Sequence, residues 1–138
     1  MKKLGIIVSI LMLFVLVGFS ETAPPPSGYY VGGIEWDESN CSCAEPIRYD
    51  VRIVIIKISD QSLVSDSGWQ LDVSEPYSYT NTTDNIGLDC GDPCYTVVVY
   101  VRIKDSSGTC CSGYSSDNVS GETLVGGSYA FPNEIVLN

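Results

Sequence analysis

The sequence predicts an all-β fold: a disulfide-bridged antiparallel β-sandwich of about seven strands. Three observations point there. Tyr95, Val97, Val99, Val101 and Ile103 alternate with Thr96, Val98, Tyr100, Arg102 and Lys104. This is the period-two pattern of a strand with one covered face. Turn-forming groups flank it, Gly91-Asp92-Pro93 before and Asp105-Ser106-Ser107-Gly108 after, and similar groups punctuate the rest of the chain. No helical period appears beyond the N-terminal apolar run, so nothing competes with strands for the core.

In chain order, residues 1–20 read as a signal peptide. Lys2 and Lys3 precede an uncharged run from Leu4 to Val17, and Gly18-Phe19-Ser20 offers small residues for cleavage. The run is short for a spanning helix, which needs about 20 residues. A retained membrane anchor is the competing reading. A pilin-type leader cut after Gly5 is a third, with Ile10 where type IV pilins carry Glu. Residues 21–27, with Pro24-Pro25-Pro26, form a stiff Pro-rich linker, and residues 28–138 form a single domain.

Tyr29 to Trp36 is the first strand, and Asp37 to Glu45 a polar loop carrying Cys41 and Cys43. Ile47 to Ser59 is the longest strand: Ile47, Tyr49, Val51, Ile53 and Ile55 share one face. Arg48, Asp50 and Arg52 share the other, which turns apolar at Val54, Ile56 and Ile58. Either a bulge near Val54 resets the phase or the distal half is buried on both sides. Asp60 to Gly68 reads as a turn region. Trp69, Leu71 and Val73 mark a short strand, and Tyr77, Tyr79 and Asn81 another beyond Pro76. The chain then passes the loop of Cys90 and Cys94 into the strand at Tyr95. After Gly108 come Cys110, Cys111 and a Ser/Gly-rich loop. Thr123–Val125 and Ser128–Leu137 are expected to form a last hairpin around Gly126-Gly127.

Charge and composition exclude more functions than they select. Beyond the leader only Arg48, Arg52, Lys57, Arg102 and Lys104 stand against 17 carboxylates. Such a surface argues against nucleic acid and anionic lipid as partners. Histidine is absent, which removes Ser–His and Cys–His catalysis and the commonest general base. Carboxylates gather at Glu35, Asp37 and Glu38, and at Asp84, Asp89 and Asp92. Calcium is compatible with them, but no EF-hand pattern is present. No pair stands out for glycoside hydrolysis, so no catalytic residue, metal or cofactor is expected.

Six cysteines in an exported chain read as disulfides. Their C-x-C, C-x3-C and C-C spacings suit zinc poorly, and fifteen pairings are open. Asn40, Asn81 and Asn118 open glycosylation-type triplets. Among nine tyrosines and two tryptophans, Tyr114, in the loop expected after Cys111, is the foremost candidate for contacting a protein or glycan. Tyr77 and Tyr79 follow.

From Ile34 to Ser116 the chain resembles a fibronectin type III domain, an immunoglobulin-like β-sandwich. The resemblance rests on Trp36, Tyr49 with Val51, Leu88, Tyr95, Val97, Val99 and the Asp105–Gly108 turn. It implies that Trp36 is the core tryptophan of the second strand. It also makes Tyr95 a corner tyrosine whose hydroxyl bonds back to upstream backbone. By the same resemblance the loops of Cys41/Cys43 and Cys110/Cys111 share one end of the sandwich, and Cys90 and Cys94 lie at the other. That implies a local Cys90–Cys94 clip and two bridges between 41/43 and 110/111, their partners left open. The spacing from Leu88 to Tyr95 is one residue longer than the family's. The chain between Pro26 and Trp36 is also too short for a full first strand, a turn and a second strand, and 22 residues follow Ser116.

The C-terminal segment is therefore expected to supply the strand the N-terminus lacks, in the same chain or in a neighbour. The expected function is an exported extracellular or cell-surface binding or adhesion module, with the cysteine-bearing loops as its contact end. The alternative is a structural subunit of an extracellular filament or pilus, built by strand donation or through a retained N-terminal helix.

Overall fold

The computed structural model describes residues 27–88 and 90–138. The leader, most of the linker and Asp89 lie outside them. In chain order the elements are β1 (Ser27–Ile34), β2 (Trp36–Asp37), β3 (Arg48–Lys57), β4 (Leu63–Asp66), β5 (Gln70–Val73), β6 (Tyr77–Asn85), β7 (Tyr95–Asp105), β8 (Gly108–Val119), α1 (Gly121–Val125) and β9 (Ile135–Val136). β1 thus begins inside the expected linker, at Ser27.

The strand most legible in the sequence organises the largest sheet. β7 pairs antiparallel with β3 in unbroken register from Arg48↔Lys104 to Lys57↔Tyr95. On its other edge it pairs with β8 through a tight turn, where the Asp105 carboxylate accepts the Ser107 N–H at 2.8 Å. β4 and β5 lie end to end along the free edge of β3. A second antiparallel sheet pairs β1 with β6, and β2 pairs with β9 in parallel. Val31 and Ile34 of β1, Val51, Ile53 and Ile55 of β3, Val97, Val99 and Val101 of β7, and Ile135 of β9 fill one core between them.

Four expectations need correction, after the alternative left open for β3. The unbroken β3–β7 register leaves no bulge on that side, and the shift at Ile55/Ile56 lies on the β4 edge. Val54 lies beside Val98 on the outer face, each only 8% exposed, while Ile56 and Ile58 beyond it are half-buried. The turn region 60–68 contains β4: its Ser65 is buried between the Tyr29 hydroxyl, 2.9 Å away, and the Asp84 carboxylate. Four residues with two polar ones give little strand signal.

In β5 two residues, Leu71 and Asp72, oppose the single Asp50. Asp72 has φ +56°, and its N–H donates to Asp50 Oδ1 at 3.2 Å. This bulge breaks the alternation and leaves Leu71 in solvent. The Ser/Gly-rich stretch after Gly108 is strand β8, with Cys110, Cys111 and Tyr114 on it rather than in a loop. Its weak intrinsic preference yields to the continuous edge that β7 offers. Finally, residues 121–125 form α1 instead of a hairpin arm. Ser120 caps it by accepting the Thr123 N–H at 3.2 Å, and five residues are too few to show a period.

The segment after α1 runs alongside β1 and β2 of the same chain. The Gly32 N–H donates to Tyr129 O (2.9 Å), and the Phe131 N–H donates back to Gly32 O (2.8 Å). Ile135 and Leu137 donate to Glu35 O (3.1 Å) and Asp37 O (2.9 Å). Asn138 then exchanges two backbone bonds with Ser112 of β8, at 3.1 and 3.2 Å. The segment therefore bridges the two sheets and seals the core with Tyr129, Phe131, Ile135 and Leu137. Gly113 is required for this close approach, because a Cβ there would overlap the Val136 carbonyl oxygen.

Cys41 is bridged to Cys111, Cys43 to Cys110 and Cys90 to Cys94, a set more typical of extracellular proteins. Trp36 is buried against Tyr49, ring centroids 5.2 Å apart. The Tyr95 hydroxyl accepts the Gly87 N–H at 2.8 Å and donates to the Gly87 carbonyl at 3.1 Å. Tyr95→Phe leaves both backbone groups without that partner. The expected loss is about 1–3 kcal/mol in denaturant unfolding, with the slope unchanged. A loss below about 0.5 kcal/mol would show that the corner bond is dispensable.

Candidate functional site

Even-numbered side chains of β3 and β7 point away from the core, and the antiparallel register aligns them with β8 in rows. Arg48 lies opposite Lys104, Asp50 opposite Arg102 and then Ser112, and Arg52 opposite Tyr100 and then Tyr114. Four of the five basic residues beyond the leader thus share one face of one sheet.

Asp50, with no exposed surface, anchors this face. It receives the Arg102 guanidinium at 3.0 Å, the Asp72 N–H, and Arg48 Nε at 3.7 Å. Arg102 lies over the Trp69 ring, 3.9 Å from its centroid, a cation–π contact that fixes the indole at the groove edge. Arg52 pairs with Asp66 in a bidentate bond, which holds the Asp66 carboxyl below the usual carboxylate range. One row along, Tyr114 stacks on Tyr100 with ring centroids 5.6 Å apart, and Tyr114 remains 69% exposed. Trp69, Tyr100, Arg102, Ser112, Tyr114 and Val136 line an open concavity of about 560 Å³.

A second concavity of about 560 Å³ continues the face toward the cysteine-bearing end. Ile47, Arg48, Asp72, Lys104 and the Asp105–Gly108 turn line it. The Asp105 carboxylate is engaged by the Ser107 N–H and hydroxyl and by the Ala44 N–H, which hold its pKa low. Nearby, the Tyr49 hydroxyl donates to Glu38. Burial and that carboxylate push the phenol up to about 12.

The three tyrosines named from sequence do not converge. Tyr114 lies in the first concavity. Tyr77 and Tyr79, on β6, are half-buried against the core, Tyr79 beside Tyr29 at 6.0 Å, and burial raises the Tyr77 phenol above its ordinary value. Sequence reasoning missed Trp69, Tyr100 and Arg102. A signal was present: Tyr100 and Arg102 occupy the outward phase of a strand whose other phase is entirely apolar.

Three of the clustered carboxylates, Asp37, Glu38 and Asp84, are engaged within the fold. Asp37 accepts the Ser39 N–H and hydroxyl, which lower its pKa, and Asp84 is engaged by Ser65 and Asn81. Among the described residues no three metal-ligating side chains gather. Comparison with protein-family models, curated proteins and solved structures finds no match to this chain.

Proposed function

We propose that this chain is an exported, non-catalytic binding module of the fibronectin type III/immunoglobulin-like sandwich type, and that it holds its partner on the outer face of the five-stranded sheet. The exposed Tyr114, stacked on Tyr100 beside the pinned Trp69–Arg102 pair, carries the reading. Aromatic rings give wide contact area at low ordering cost, and here their neighbours already fix them. The leader-like N-terminus, three bridges and the Tyr95 corner support export and fold type; the lack of histidine supports a non-catalytic role. The reading moves the contact surface from the cysteine-bearing loops to the adjoining sheet face. Filament assembly by strand donation is the second reading, and the bonds that residues 129–138 make within their own chain favour the module over it.

The test is binding of labelled chain to intact cells or matrix of its own source. Tyr114→Ala and Trp69→Ala are each expected to reduce bound label at least about tenfold with the folded circular dichroism unchanged. Tyr77→Ala is expected to lower stability and leave binding intact. Full binding by folded Tyr114→Ala and Trp69→Ala variants would refute the assignment.

A further inference from the structure

The identity of the partner can be narrowed from the charge pattern, granted the contact face proposed above. Arg48 and Lys104 sit directly opposite each other across β3 and β7. Like charges in that position oppose folding, so the pair has no evident structural use. Arg102 and Arg52 are each matched by a carboxylate, and Arg48 only approaches Asp50, already bonded to Arg102. Lys104 makes no ion pair among the described residues. Both cations open into the second concavity, beside Ser106 and Ser107. Lys104 lies four positions along β7 from Tyr100, about 13 Å at the rise of a strand. An aromatic pair and a cation pair therefore lie along one strip.

We infer that the ligand of this face is an acidic saccharide, a pyranose ring stacked on the exposed Tyr114 beside Tyr100 and Trp69 and its carboxylate or sulfate groups held by Arg48 and Lys104. Sugar rings offer C–H faces to aromatics, and hydroxyls to the polar rim of Ser112 and Thr109. The net charge of −10 does not oppose this decisively. Exposed charges beyond a Debye length, about 8 Å at physiological salt, are largely screened, so an anion meets mainly the groups of this strip, where Arg48 and Lys104 are the cations least engaged by carboxylates. Asp72 and Asp105, both lining the same concavity, are the local charges working against an anion.

Affinity electrophoresis of the full disulfide-bonded chain through gels holding heparin, polygalacturonate or dextran tests this. Retention by heparin or polygalacturonate, but not by dextran, is expected; which of the two retains it tells sulfate from carboxylate recognition. Lys104→Gln and Arg48→Gln should each weaken retention about tenfold, and added salt should weaken it further. Asp72→Asn should strengthen it. Lys104→Gln should not lower the thermal midpoint, since it relieves the like-charge opposition; a lower midpoint would mark Lys104 as structural and overturn the assignment. Equal retention by dextran, sensitive to Tyr114→Ala, would overturn the acidic ligand and leave the binding face standing. No retention by any polymer, with cell binding still lost in Tyr114→Ala, would do the same. Retention of neither kind, with cell binding indifferent to Tyr114, would overturn both.

Discussion

Removing residues 128–138 is expected to abolish cooperative folding. Tyr129, Phe131, Ile135 and Leu137 are all buried in the common core, and burying each such side chain is worth roughly 1.5–3 kcal/mol. Four of them together rival the ~5–15 kcal/mol by which a whole domain is usually stable. The deletion also strips the acceptors at Glu35 and Asp37 and the donor at Gly32 of their partners. The shortened chain should lose its sharp thermal transition and its near-ultraviolet circular dichroism. A synthetic peptide of residues 128–138, added in trans during oxidative refolding, should restore both, because the bonds it makes are the ones the tethered segment makes. A shortened chain that unfolds as cooperatively as the full one would show that the segment merely decorates the core.

The second large effect concerns the paired bridges. Cys41–Cys111 and Cys43–Cys110 close almost the same loop, with sequence separations of 70 and 67. In the chain-entropy description closing such a loop once is worth about 4 kcal/mol, and closing it again adds far less. Cys43→Ala/Cys110→Ala is therefore expected to cost well under that amount. Removing both pairs should cost about 4 kcal/mol or more, with the buried Cys111 adding a packing loss. The Cys90–Cys94 clip spans a separation of only 4, worth about 2 kcal/mol on the same reasoning. Denaturant titration of the three variants decides it: two equal, additive losses of about 4 kcal/mol would show that the bridges act through native packing and not through loop closure.

What was legible in the sequence was the strand at Tyr95 and its neighbours, because alternation survives wherever one face is fully apolar. β3 is legible along its inner face, and Val54 on the outer face marks the apolar patch it shares with Val98. β8 was not legible. Its Ser, Gly, Asp and Asn residues carry no strand preference, and its conformation is dictated by the partner. β5 misled because a single residue at positive φ reverses the phase of every side chain beyond it. The candidate site suffered from the same gap: Tyr114 was singled out for exposure but placed in a loop. Its companions Tyr100 and Arg102 came into view only through register, which joins residues far apart in the chain. Trp69, ahead of the β5 bulge, was assigned to a strand face and not to an arginine.

The parallel contact of the chain's early and late residues also sets an order of events during synthesis. Gly32 and Glu35 find their partners only when residues 129–135 have been made, and Cys41 and Cys43 likewise wait for 111 and 110. Cys90 and Cys94 can join as soon as they emerge. A nascent chain thus holds an open sheet edge and two unpaired thiols through most of its translation. Such edges invite pairing with other chains, and long-range closure of this kind is slow. The demand on chaperones and thiol oxidation should therefore fall at the end of synthesis, when the late segment completes the edge.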